Sequence, residues 1–310
     1  LIVNRNYPAI ARATAISWLD PQRSRTNAEA LFQATSDSNP QVREVAAMTL
    51  DGYASDPQAP YKELVKYVVP LLGDPSRSVR IAAVQPVARI PRHLLRANER
   101  KAFDSAFKEL ELGLAVNNDR AAPYVSIGNI YQLLKDPEAA EMAFRKAIFV
   151  EPNYTGARAN LAELLQQKAE QMIRRMQGMT VEDAREKEQD MLRLRIEVEQ
   201  LRKAELANFA RDASYAPGIA DVQYRYGLGL YRDGQLEEAE KYLRRAVDLQ
   251  PRSVLYLAAM ARFLQAAGRF EDALPFARRL AEADGNHDDV LKELKQQIQQ
   301  QTPTPPGPSQ

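Results

Sequence analysis

Apolar residues recur at spacings of three and four through most of the chain, which predicts helices. Between Asn4 and Leu19 the inward stripe is Ile10, Ala13 and Ile16, with Trp18 or Leu19, and Asp20-Pro21 ends the helix. Phe103, Ala106, Phe107, Leu110 and Leu114 form a second stripe, on a helix that Asn98 is placed to cap and that runs to Val116. Over residues 121–154 the stripe takes a stricter order: Tyr124, Ile127, Gly128 and Tyr131, then Ala140, Phe144 and Ala147, then Pro152. Small residues at Gly128 and Ala140 let two backbones approach closely, Tyr131 and Phe144 fill the wedge between them, and Pro152 ends the second helix. One such antiparallel pair cannot bury its apolar face alone, so neighbours are required.

That order is the tetratricopeptide pattern of about 34 residues. It recurs over 220–253, in Tyr226, Gly227, Leu230, Gly234, Ala239, Leu243, Ala246 and Pro251. A further copy, 254–287, holds Leu257, Met260, Ala261, Leu264, Gly268, Ala273 and Ala277. Another unit opens at 155 with Arg158, Leu161, Ala162 and Leu165, but its second helix arrives about 31 residues late. The excess, about 166–202, is highly charged and lacks Pro. Met172, Met176 and Met179 on one side, and Met191, Leu194, Val198 and Leu201 on the other, keep three-and-four spacing, which reads as a lengthened helical hairpin whose arms about Gly178 are uneven, with Thr180 and Asp183 capping its second arm. Split evenly, the extra residues push the tip about 23 Å beyond the neighbouring repeats at ~1.5 Å per residue. Residues 288–301 read as a polar capping helix and 302–310 as a disordered Pro-rich tail.

Upstream, Asp37-Ser-Asn-Pro-Gln-Val42-Arg43 is echoed 37 residues later by Asp74-Pro-Ser-Arg-Ser-Val79-Arg80. Alanines follow each Val-Arg pair, at Ala46 and Ala47 and at Ala82 and Ala83, and Leu31, Phe32, Leu64, Val68, Val69 and Leu71 supply partner helices. The spacing is that of HEAT repeats, with the Asp carboxylates suited to helix N-termini. The predicted fold class is all-α, an α-solenoid: HEAT-like units over 1–95, a connecting half repeat over 96–120, and tetratricopeptide repeats over 121–287.

Composition narrows the function. Forty-two basic and 41 acidic residues leave a net charge of +1, which gives no overall push toward nucleic acid or an anionic membrane. The longest uncharged apolar run, Ala121 to Leu134, is too short and too polar to span a bilayer. Zero Cys excludes disulfides, thiolate metal sites and covalent c-type haem within these residues, so no cofactor is expected in this chain. No G-x-S-x-G, phosphate loop or H-E-x-x-H is present and His93 and His287 lie far apart, which argues against an enzyme. The opening at Leu1, without Met or a leader pattern, reads as a fragment or a processed product.

The run Asn118-Asp-Arg-Ala-Ala-Pro-Tyr-Val-Ser-Ile-Gly-Asn-Ile-Tyr, followed by Glu151-Pro and Ala159-Asn-Leu-Ala-Glu-Leu and preceded by the Asp-Pro and Val-Arg units, resembles the C-terminal region of bacterial multihaem c-type cytochromes related to cytochrome c554. The resemblance implies a haem-bearing head ahead of HEAT and tetratricopeptide repeats, a docking or assembly role in electron transfer, and a periplasmic or extracytoplasmic location. This chain departs from the family in having no C-x-x-C-H and in its long insert. On that reading haem c sits on an upstream part or on a partner cytochrome.

The repeats themselves point to a non-enzymatic scaffold that binds a protein or peptide on the concave face made by the first helix of each repeat. Counting from the repeat starts, that face carries Asn129, Gln132, Asn160, Glu163, Tyr224, Arg225, Leu228, Tyr231 and Arg262. Asn side chains pair with extended peptide backbone by donating and accepting at once, or serve only to satisfy neighbouring helices. Arg225 suits a carboxylate, and exposed Tyr224 and Tyr231 supply contact area, while Tyr226 takes a core position. Asn129, Asn160 and Arg225 resemble three positions of the two-carboxylate clamp of Hsp90- and Hsp70-binding co-chaperones, but Val125 and Asp221 stand where that clamp has bases. Asp284, His287, Asp288 and Asp289 are read as a helix cap from Asn286 in preference to a metal site. If the Met-bearing stripe of the insert drives self-association, deleting Gln166 to Arg202 yields a folded monomer; a deletion variant that still dimerises in sedimentation removes that role.

Overall fold

The computed structural model describes residues 2, 4–19, 25–55, 59–114, 119–176, 181–283 and 288–301. Among these residues the chain forms fifteen α-helices, two 3-10 turns and no strand. It divides into two compact units, Leu1–Asn160 and Leu161–Gln310. The predicted stop at Asp20-Pro21, the cap residues Gly178, Thr180 and Asn286, and the tail 302–310 lie outside the described residues, as does Val116.

The first unit begins with α1 (Ala9–Ser17), α2 (Arg25–Ala34), α3 (Pro40–Ala54), α4 (Tyr61–Tyr67), α5 (Arg77–Ala88) and α6 (Ala97–Leu114). α3 starts where it does because Asn39 Oδ1 accepts from the Gln41 amide at 2.9 Å and Pro40 occupies the first helical position, where its missing N–H costs nothing. Val42, Ala46, Ala47 and Leu50 on α3 and Val79, Ala83, Val84 and Val87 on α5 are buried against one another and against Leu31, Leu64 and Leu71. Pro70 cannot continue α4, and the chain passes instead into a 3-10 turn over Val69–Gly73.

The stack is threaded by a ladder of ion pairs. Arg12 reaches Asp37 at 2.8 Å, Arg43 grips Asp74 through two bonds of 2.7 and 2.8 Å, and Arg80 grips Glu109 at 2.8 Å. Arg43 and Arg80 each also donate to the backbone of their own entry loop, at the carbonyls of Asp37 and Asp74, both at 2.7 Å. Each Asp in turn accepts from the amide two residues on, Asn39 or Ser76, at 2.8 Å. The echoed aspartates therefore stand one step outside the helix caps, and their carboxylates bind across to the preceding arginine. The guanidinium of Arg43 is the largest influence holding the Asp74 carboxyl below its usual range.

Two sequence expectations are corrected here. Ile10 is 60% exposed and Trp18 is 83% exposed, whereas Arg12, Ala13, Ile16 and the half-buried Leu19 face inward. The rotation follows from the Arg12 guanidinium, which Asp37 draws into the interface. Asn98 lies inside α6, and the Glu99 carboxylate makes the capping bond instead, accepting from the Arg96 amide at 2.7 Å.

The first unit closes with α7 (Ala121–Leu133) and α8 (Pro137–Val150), and α9 (Ala157–Met176) runs across the division. A Cβ on Gly128 would lie 2.4 Å from the Phe144 ring, so these helices touch at a distance that only glycine permits. Tyr131 packs edge-on against Phe107 and donates to Glu111 of α6.

In the second unit α10 (Val181–Tyr215), α11 (Ala220–Arg232), α12 (Leu236–Leu249), α13 (Val254–Ala266), α14 (Phe270–Ala283) and α15 (Asp288–Gln301) follow. The two arms are of unequal length: α9 has 20 residues and α10 has 35, with Arg202 of α10 donating to Gln166 of α9. Gly227 repeats the Gly128 contact against Leu243, and Gly229 admits Leu206 and Phe209 of α10. α15 buries Leu294 against the last repeat.

The turn between the helices of a repeat is the same in three places. The amides of Asp136, Gln235 and Arg269 each donate 2.9 Å back to the carbonyls of Tyr131, Leu230 and Leu264. Each turn needs a left-handed residue, which is Gly234 (φ 82°), Gly268 (φ 72°) and, in the first, Lys135 (φ 61°).

Lys135→Gly removes the penalty on a side chain at positive φ and raises stability by about 0.5–1 kcal/mol in urea unfolding, part of the gain being offset by the freer unfolded chain. Arg43→Met strands Asp74 and costs about 3 kcal/mol near neutral pH. The folded-state pKa of Asp74 is depressed, so the stability it contributes is present above its unfolded value and is lost as pH falls through the folded one. The deficit of the Met variant therefore shrinks in acid, measured as the difference in unfolding midpoint between pH 7 and pH 3.

Candidate functional site

The first helices of the repeats are half used by packing. α11 buries Ala220, Gln223, Gly227 and Leu230 against its neighbours, which leaves Asp221, Arg225, Leu228 and Arg232 along the other side. α7 buries Ala121, Ile127, Gly128 and Ile130 in the same way and leaves Asn129 on its open side, half-buried. The repeat geometry thus presents one stripe of each first helix to solvent.

In the first unit the structure brings Asn129 and Asn160 together. Asn160 Nδ2 donates to Asn129 Oδ1 at 2.9 Å, linking α7 to the first turn of α9. Neither side chain has another hydrogen-bond partner among the described residues. Val125, at one of the clamp's basic positions, packs in a cluster with Ala121, Ala147 and Ala157.

In the second unit aromatic contacts tie α11 to α13. Tyr224 lies 5.2 Å from Tyr256, and Tyr231 meets Phe263 edge-on at 5.5 Å. Tyr224 and Leu228 are half-buried, whereas Tyr231 is 39% exposed. Burial raises the Tyr224 and Tyr256 phenols above their usual range, so both remain protonated donors at neutral pH. Tyr226 stands apart from this face, 4.5 Å from Tyr242 of α12. Arg225 is occupied by its own helix: Asp221 Oδ2 lies 2.6 Å from its guanidinium. A carboxylate ligand at Arg225 has to displace or share that acid.

Sequence reasoning named Arg262 on this face but passed over Arg232, Leu255 and Tyr256. The signal was available for Arg232, which lies seven residues beyond Arg225 and four beyond Leu228 on the same stripe. Tyr256 reads as core by periodicity alone, and only its partner across the helix pair shows that it supports Tyr224. The acidic cluster with His287 lies outside the residues whose side chains are described. Among the described residues no group of three or more His, Asp or Glu is arranged to hold a metal ion. His93 sits exposed in the 3-10 turn Arg92–Leu94. No helix among the described residues is long and apolar enough to cross a membrane.

Comparison with known proteins agrees with the repeats. A HEAT-repeat family model matches residues 28–100, and two tetratricopeptide-repeat models match 121–154 and 230–298. The fold is all-α, built of HEAT and tetratricopeptide repeats, and none of the matching models is of a catalytic family. No curated protein matches the chain. Among solved structures it is similar to MamA from Desulfovibrio magneticus, at 17% identity over 72% of this chain and 98% of that one, with a TM-score of 0.36. It is similar also to a thermophilic tetratricopeptide protein of Thermus thermophilus, at 17% identity over 64% of this chain and 92% of that one, with a TM-score of 0.37. Yeast Tom70 aligns at 14% identity over 96% of this chain and 66% of its own length, with a TM-score of 0.47. These likenesses concern the fold alone. None of the matching family models connects the chain with a multihaem cytochrome.

Proposed function

We propose that the chain is a protein-interaction scaffold that holds an extended peptide against the open face of its first helices. The observation that supports this most directly is the Asn129–Asn160 pair. One amide donating to another consumes one N–H and one oxygen lone pair, and leaves both N–H groups on Asn129, one N–H on Asn160 and oxygen lone pairs on both. Reversing both amides leaves the same complement. A peptide unit offers one N–H and one C=O, so the pair matches it at both ends. Half-burial of both residues makes such bonds worth more than at a bare surface.

Within the second unit, Tyr231 and Leu255 are the exposed apolar side chains of α11 and α13. They offer contact area to the peptide's own side chains, and the ring contacts behind Tyr231 hold it in place at little entropic cost. The charged side chains of this face supply binding groups. No nucleophile or acid–base pair is set among them.

The competing surface is the outer side of α8, where Met142 is 67% and Phe149 78% exposed. Peptides selected on the full chain from a random library separate the two. If the first-helix face is used, Asn129→Ala with Asn160→Ala weakens the selected peptides by about tenfold or more, and Met142→Glu with Phe149→Glu leaves them unchanged. The opposite pattern moves the site to α8 and ends the proposal.

A further inference from the structure

Charge is divided between the two helices of each repeat in the second unit. The first helices α11 and α13 together carry three arginines, Arg225, Arg232 and Arg262, and one acid, Asp221. The second helices have the opposite balance: α12 carries four acids and three bases, α14 three acids and two bases. The open face of this unit is thus cationic, although the chain as a whole has a net charge of only +1.

The arginines also differ in what holds them. On the second helices Arg244 is bonded to Glu240 at 2.7 Å, and Arg279 donates to the Pro251 carbonyl at 2.7 Å. On the first helices Asp221 accounts for Arg225. Arg232 and Arg262 are exposed, and neither has an ion pair or hydrogen bond among the described residues. Tyr231 and Phe263, the chain neighbours of Arg232 and Arg262, meet edge-on at 5.5 Å, so both arginines sit where α11 meets α13. Tyr224 packs on Tyr256 at the same helix pair, whose exposed apolar side chains are Tyr231 and Leu255.

We infer that Arg232 and Arg262, exposed where α11 meets α13, select peptides that carry acidic side chains interleaved with apolar ones. This rests on the scaffold reading above and names the class of partner. A carboxylate placed there gains guanidinium and phenol donors, while its neighbouring apolar side chains meet Tyr231 and Leu255. A basic peptide meets two unneutralised arginines, and the same face rejects it.

The probe is a fluorescein-labelled peptide of about twelve residues alternating Glu and Leu, titrated against the full chain by anisotropy. Its counterpart with Lys for Glu and a deoxythymidine oligomer of similar charge are titrated in parallel. The acidic peptide is expected to bind at least tenfold more tightly than the basic one, and Arg232→Glu with Arg262→Glu to weaken it at least tenfold. Arg245→Glu with Arg278→Glu, both on exposed positions of the second helices, is expected to leave it unchanged. Equal loss in the two double variants overturns the assignment, because only net charge would then matter. Tighter binding of the oligonucleotide, lost on the same arginines, overturns it in favour of a nucleic-acid surface. Library-selected peptides that depend on Asn129 and Asn160 yet show no acidic enrichment retire the acidic class and leave the scaffold reading standing.

Discussion

The close approach of two helices at a residue without a side chain is the constraint on which the tetratricopeptide units 121–154 and 220–253 rest. A Cβ at Gly128 would fall 2.4 Å from the Phe144 ring, and one at Gly227 would fall 2.9 Å from Leu243. At that separation the connecting turn must reverse the chain quickly, which accounts for the shared backbone bonds at Asp136, Gln235 and Arg269 and for the left-handed residue before each. Because the glycine side of the first helix is consumed by this contact, its opposite side is left to solvent or to a ligand. The open face is a by-product of the packing.

The HEAT part uses a different device. Alanines and valines at the α3–α5 contact give little shape to specify how one helix pair should sit on the next. Arginines supply that register: each binds the loop of its own unit and the carboxylate of the following one. Burial makes the pairs sensitive, since the side chains of Arg12 and Asp37 are 6% and 7% exposed and loss of either partner would strand the other. Glu109 of α6 takes the acid's place at the last rung, so the helix that leads toward the tetratricopeptide repeats is bound by the same grip.

The two units present their open faces with different chemistry. Asn129 and Asn160 in the first offer neutral amides suited to peptide backbone, which carry no information about side chains. Arginine, tyrosine and leucine in the second offer charge and apolar area, which do.

Much of this was legible in the amino-acid sequence, because it depends on spacing along one chain. Glycine opposite an aromatic, the period of the repeats, the late second helix after 155 and the bounds of the last helix, Asp288–Gln301, are all local patterns that helical geometry translates directly. What only the tertiary structure decided concerns partners distant in sequence. Ile10 and Arg12 lie on opposite sides of one short helix, and periodicity alone favours the apolar one. Asp37, 25 residues away, turns the helix so that the arginine is buried. The same holds for Arg232, whose place near Arg262 depends on how α11 meets α13 through Tyr231 and Phe263. Periodicity names the stripes of a helix; the atoms packed against it choose which stripe is core, which is neutralised and which remains to bind.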